Sequence, residues 1–147
     1  MKTIQKLTLL FCISMFITSC CACRQGSPKI GDLENAQWKL IELNGNTVEN
    51  TEILLTFDAN EKMIYGKCPC NNFFAGYSLS NTADNNIKIT NPGATRKFCP
   101  DSQIEDEFAS KIGTITTVKL EGQDKIMLID AAGELVAVLD KQPAAQN

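Results

Sequence analysis

Histidine is missing from all 147 residues of the chain. Its absence removes the usual base that activates a serine or cysteine nucleophile and the commonest companion of cysteine in mixed zinc sites. No glycine-rich phosphate loop and no dinucleotide fingerprint occurs. The carboxylates are scattered over turn segments, so no pair stands out for glycoside chemistry. A basic patch is lacking too: 14 Lys and Arg face 17 Asp and Glu, a formal net charge of −3, which offers nucleic acid no cationic surface. The N-terminal apolar stretch, Leu7 to Ile17, is 11 residues long, against the roughly 20 that span a bilayer as a helix. These absences make the expectation non-catalytic, with no cofactor and no nucleic-acid partner.

The same stretch has another use. Lys2 and Lys6 precede it and Ile17-Thr18-Ser19-Cys20 follows it, the order of a secretory signal: charged, apolar, then small residues. The last four residues resemble the lipobox of bacterial lipoproteins. That resemblance implies a signal peptide over 1–19, cleavage before Cys20 and lipid on the Cys20 thiol and amine; an ordinary secretory signal is the alternative. Cys21 and Cys23 are then spare thiols beside the membrane. No aspartate directly follows Cys20, which points to an outer-membrane anchor facing the periplasm. Residues 20–36 are polar and turn-rich, a lipidated N-terminus and tether. Removing 1–19 takes away Lys2 and Lys6 and leaves 128 residues with 12 basic and 17 acidic side chains, a net charge of −5. The membrane, through this anchor, is the first expected partner, and an envelope protein the second.

Residues 37–140 read as one domain and 141–147 as a flexible polar tail. Ile53, Leu55 and Phe57 alternate with Leu54, Thr56 and Asp58, the period of a strand with one buried face. Similar signals mark Trp38 to Leu43, Met63 to Cys68, Ala75 to Leu79 and a short strand at Ile87 and Ile89, the last bracketed by Asn91-Pro92-Gly93. Then the period changes. Ile104, Phe108 and Ile112 recur every four residues with Ala109 beside them, a helix over about 102–113 with one apolar stripe. Ser102 and Glu105 have the spacing of a capping box. Glu105, Asp106 and Glu107 suit the positive end of the helix dipole as a solvated face, Lys111 suits the other end, and Gly113 can end the helix. Thr116 to Leu120, Ile126 to Ile129 and Leu135 to Leu139 complete the plan. The expectation is a mainly β (α+β) fold of about eight antiparallel strands in a curved, barrel-like sheet, with the helix between strands five and six.

Trp38-Lys39-Leu40, Leu43-Asn44-Gly45, the Ile53 to Phe57 strand, Gly66-x-x-x-Cys70-Asn71-x-Phe73-x-x-Gly76-Tyr77 and Thr95-x-x-x-Cys99 together resemble the META-domain family, which includes heat-inducible outer-membrane lipoproteins. The likeness covers about 38–139. It implies a half-closed β-barrel with one helix and no family-wide catalytic activity; members are linked to envelope stress, antibiotic tolerance and, in protozoa, virulence. Trp38, Gly66, Cys70, Asn71, Phe73, Gly76, Tyr77, Thr95 and Cys99 carry the motif. Pro69, and the additional Cys68, depart from it.

Three readings of the cysteines follow. Cys70 and Cys99, 29 residues apart, pair as a disulfide, contributing roughly 3.5 kcal/mol in the chain-entropy model. Alternatively Cys68, two residues from Cys70 and on the same face of an extended chain, competes for Cys99 in a redox-labile set. Or Cys68, Cys70 and Cys99 ligate Cu(I) or zinc. Trp38, Phe73 and Tyr77 are expected in the core, Asn71 on backbone at a bulge, and Gly76 where the helix packs closely. The functional expectation is a structural or binding lipoprotein of the envelope. Its alternatives are a thiol-redox or metal-handling protein and, further off, an inhibitor of a hydrolase acting on the envelope.

Overall fold

The strand β1, Gln37–Leu43, shows how the barrel is built. Trp38 and Leu40 alternate inward and are fully buried, yet the next inward residue is Leu43, three positions on. The parity changes because the pairing with the last strand shifts register between Leu40 and Glu42. One inserted residue turns the following side chains over and sharpens the local twist. The structure is a computed structural model that describes residues 30–34, 36–80 and 85–143. Cys20, Cys21, Cys23, the 1–19 leader and the end of the tail lie outside the described residues.

β1 is followed by β2 (Asn46–Thr47), β3 (Leu54–Asp58), β4 (Met63–Lys67), β5 (Asn72–Leu79) and β6 (Ile87–Ala94). The helix α1 (Gln103–Ile112) comes next, then β7 (Ile115–Glu121), β8 (Lys125–Asp130) and β9 (Leu135–Lys141). The sheet order is β6-β5-β4-β3-β1-β9-β8-β7, with every pair antiparallel and β2 attached to β1 alone. Its two ends meet at the Asn86–Thr117 bridge and the bond from Val118 N to Asn85 O, 3.1 Å. The result is a nearly closed barrel of eight strands whose end strands are joined through the helix. Closure of this kind leaves little free edge.

The helix lies after the sixth strand, not between the fifth and sixth. The additional strand is β2: Asn44 and Gly45 both have positive φ (49° and 78°), the geometry of a tight hairpin turn. The chain therefore folds back at Asn44-Gly45 and pairs Leu43 with Asn46. Asn91-Pro92-Gly93, expected to end the fifth strand, lies within β6, where Asn91 takes φ 49° beside the register shift against β5. The ordered domain also extends beyond 37–140. A 3-10 turn at Ile30–Leu33 precedes it, in what was expected to be tether, and buries Leu33. β9 runs to Lys141, and Gln142 N donates to Gln37 O at 2.7 Å, so the expected tail at 141–147 begins within the sheet.

Buried side chains from both halves of the sheet form one core, with Phe108 and Ile112 of α1 in it. Phe73 and Phe108 meet edge to face with centroids 5.5 Å apart, as do Phe57 and Tyr77. Gly66 makes the first contact possible. It pairs directly with Phe73, and a Cβ at Gly66 would overlap the Phe73 ring. Gly66→Ala is therefore expected to lose roughly 2–3 kcal/mol through overpacking, read as a lower thermal midpoint. An unchanged midpoint would mean that Phe73 has another rotamer to occupy.

Candidate functional site

The motif cysteines gather at the β4–β5 turn. β4 stops at Lys67 and β5 starts at Asn72, so Cys68-Pro69-Cys70-Asn71 is the turn itself rather than extended strand. Proline cannot donate to a ladder, and the chain leaves the sheet where Pro69 stands. This separates the two cysteines. Cys68 points inward and is buried, whereas Cys70 is half-buried and bonded to Cys99, with Cα atoms 6.5 Å apart.

Two amides of the turn, at Cys70 and Asn71, need acceptors. Both go to one carboxylate: Cys70 N donates to Glu105 Oε1 and Asn71 N to Glu105 Oε2, each at 2.8 Å. Glu105 is 6% exposed, and burial of a charged group requires such partners. This corrects the expected solvated face, since only its neighbours Asp106 and Glu107 are exposed. It also removes the capping box. The Ser102 hydroxyl lies 2.8 Å from Asp106 Oδ2 and 3.2 Å from Cys99 O, with no side-chain bond to the helix amides. Ile104, expected on the apolar stripe, is 38% exposed; Glu105 takes the inward place with Phe108 and Ile112. Gly113 ends the helix in a right-handed conformation, without the left-handed φ for which glycine is usually chosen.

Asn71 ties the turn to the segment that approaches α1. Its Oδ1 accepts from Lys97 N (2.8 Å) and Thr95 Oγ1 (3.0 Å), and its Nδ2 donates to Lys97 O (3.3 Å). Thr95 Oγ1 also accepts from Asn72 N at 3.1 Å. Disulfide, carboxylate and carboxamide thus clamp one turn to one loop and one helix. Gly76 has a different neighbour from the one expected: a Cβ there would lie 2.7 Å from Thr90 Oγ1 of β6, so its contact is with a strand and not with the helix. Trp38 is buried, and its Nε1 donates to Leu33 O at 3.0 Å. The Tyr77 ring is buried, with its hydroxyl 2.6 Å from Glu34 Oε1. Glu34 also accepts from Lys62 at 2.7 Å, and the Lys62 and Tyr77 bonds hold its carboxyl below the usual carboxylate range.

Cys68 is the free thiol among the described residues. Burial, and then the negative charges of Glu105 and Asp106, push it up to about 12. The thiolate is both the nucleophile and the metal ligand, so the raised pKa disfavours either role at neutral pH. A three-thiol site also needs three free sulfurs, and two of these are bonded to each other. Among the described residues no cluster of three or more His, Cys, Asp or Glu side chains is placed around a common metal position.

Glu105, which the sequence assigns to a capping box and a solvated face, and Glu34, which it does not single out, are the working residues of the site. Glu105 had a signal: it lies three residues before Phe108 and seven before Ile112, on the same helical face. A carboxylate on a buried stripe has to meet donors. Glu34 carried no comparable pattern.

The fold is similar to two solved structures. An NMR structure of a protein from Burkholderia xenovorans matches with a TM-score of 0.59 and 20% identity, over 81% of this chain and 94% of that one. A crystal structure of a DUF4847 family protein from Bacteroides vulgatus matches with a TM-score of 0.55 and 12% identity, over 76% and 96%. No curated protein matches the sequence. The model of the META domain matches residues 31–143, with the nearly closed barrel and the Cys70–Cys99 clamp both inside that span, and the chain belongs to the META domain family.

Proposed function

We propose that this protein is a non-catalytic lipoprotein of the cell envelope, anchored through Cys20, whose META domain is a rigid binding or structural module. A role in envelope stress or antibiotic tolerance follows from the family resemblance. One observation carries the non-catalytic part: the polar groups of the motif are occupied by each other. Both Glu105 oxygens hold turn amides, the Asn71 carboxamide holds the Lys97 backbone, and Cys70 is bonded to Cys99. A reacting site keeps a nucleophile, acid or base available to substrate, and this cluster keeps its groups for the fold. The lipobox-like Ile17-Thr18-Ser19-Cys20 supports the anchor.

Mass spectrometry on the mature protein tests both parts. Lipid mass on Cys20 is expected; an unmodified Cys20 would remove the anchor. Alkylation of the native protein should leave Cys68 unmodified at pH 7–9, with Cys70 and Cys99 recovered as one cross-linked pair. The sign follows from the raised pKa. Native Cys68 stays protonated until the pH nears about 12, while an unfolded cysteine ionises near ~8.5. Below that lower value the preference for the thiol favours the fold fully; the advantage declines as pH rises toward the upper one. Rapid alkylation of Cys68 at pH 8, or recovery of a Cys68–Cys99 isomer, would replace this reading with the redox one.

A further inference from the structure

The clamp also presents something outward. Phe98 is 97% exposed, although the chain on both sides of it is fixed. Before it, Lys97 has its N–H and C=O both bonded to the Asn71 side chain; after it, Cys99 is bonded to Cys70. An exposed phenyl on a fixed backbone loses little further conformational freedom when it is buried by a partner, and such preorganisation raises affinity. Arg96 and Lys97 precede it, both exposed. Neither has an ion-pair partner among the described residues, in a chain whose net charge is −3. Beside them a groove of about 520 Å³ lies between α1 and the β5–β6 pair, with Arg96, Gly93 and the 46% exposed Phe74 in its wall.

We propose that Arg96, Lys97 and Phe98 form a preorganised docking prong for an acidic protein partner, in which Phe98 enters an apolar pocket bordered by carboxylates. The two cations without internal partners set the charge of the partner. Position favours a protein over the bilayer. The N-terminal 3-10 turn is held at the β3–β4 turn, where Glu34 meets Lys62 and Tyr77, whereas the prong stands at the β4–β5 turn. The five residues of β4 separate these two ends, about 16 Å of strand. The 3-10 turn Ile30–Leu33, the first described element after an N-terminal anchor, is therefore at the end opposite the prong, an argument that rests on the anchor reading above. Charge favours the same choice. Exposed Asp101 lies three residues beyond Phe98, and exposed Asp106 shares the groove wall with Arg96; both oppose approach to a broad anionic surface, while a pocket the size of one side chain can engage the cations alone. A second copy of the chain docked symmetrically through the same face would bring like cations against like.

Site-specific photo-cross-linking in the source cells tests the proposal, with Phe98→benzoylphenylalanine in the full-length chain and Glu134→benzoylphenylalanine in the exposed β8–β9 turn as control. The expected result is a discrete protein adduct from position 98, absent at 134, whose cross-linked peptide carries Asp or Glu beside the attachment point. The double change Arg96→Glu and Lys97→Glu should reduce the adduct at least fivefold while the thermal midpoint stays unchanged, because all three side chains are exposed. An adduct unaffected by charge reversal, an adduct common to both positions, an adduct of twice the chain mass, a phospholipid adduct or no adduct would each overturn the proposal. Lipid mass on Cys20 is read separately, so failure of the anchor and failure of the prong are distinguishable.

Discussion

Replacing Glu105 with alanine should destabilise the domain by about 3 kcal/mol, the loss expected when two hydrogen bonds to one buried carboxylate are removed. Each bond is 2.8 Å long, and the amides they satisfy belong to Cys70 and Asn71. Asn71 is 7% exposed, so water is a poor substitute there, whereas the half-buried Cys70 amide can recover part of its loss from solvent. Glu105→Gln sharpens the test. It keeps the volume and one acceptor but places an amide donor against a backbone donor. If the carboxylate matters as a double acceptor, glutamine should be nearly as costly as alanine; if it only fills space, glutamine should be close to neutral. Urea melts at neutral pH decide between the two. A loss below about 0.5 kcal/mol in both variants, the usual range for surface changes, would return Glu105 to the solvated face on which sequence reasoning had placed it.

That misplacement shows where the sequence was legible. Strands with one buried face announce themselves by alternation, and the Ile53 to Phe57 segment lies where its pattern placed it, with Leu55 and Phe57 inward. The helix was legible from Phe108 and Ile112, four apart. The two-residue strand Asn46–Thr47 was not, because two residues show no period; only the paired positive φ angles of Asn44 and Gly45 reveal the hairpin. Parity changes were also hidden, since the bulge that returns Leu43 to the core depends on the register of β9 against β1. At the site, residue types pointed to chemistry that three-dimensional pairing withdraws. Three cysteines read together as a possible redox or metal set until the turn at Pro69 sends Cys68 inward and leaves Cys70 for Cys99. The partner of the turn amides lies 34 and 35 residues further along the chain, beyond the reach of any local pattern.

Cys99→Ser should cost roughly 3.5 kcal/mol, the chain-entropy value for a loop of this size, and its combination with Asn71→Ala tells how that stability arises. Asn71→Ala alone removes the bonds to Lys97 N, Lys97 O and Thr95 Oγ1, and the 3.4 Å contact from Nδ2 to Cys70 Sγ, a loss of about 2 kcal/mol at ordinary hydrogen-bond values. The disulfide and the carboxamide fix the same loop, so the two simple accounts diverge. If the disulfide acts by restricting the unfolded chain, it and Asn71 work on opposite sides of the equilibrium, and the double variant should lose the sum within about 0.5 kcal/mol. If it acts by holding the native loop in place, opening it already weakens the Asn71 bonds, and the double variant should lose well under the sum. The geometry favours a result near the sum, reduced only by the direct contact of Asn71 Nδ2 with Cys70 Sγ at 3.4 Å. Asn71 bonds both backbone groups of Lys97, and Thr95 N donates separately to Asn72 O at 2.9 Å, so the loop has anchors that do not depend on sulfur. Denaturant curves for the four proteins of the cycle, measured under identical conditions, give the coupling directly. A domain of marginal stability, typically about 5–15 kcal/mol, would be brought close to unfolding by the additive loss. For the same reason, a shortfall of 1 kcal/mol or more in the double variant would be plain in the midpoints and would show that the disulfide orders the loop that carries Phe98.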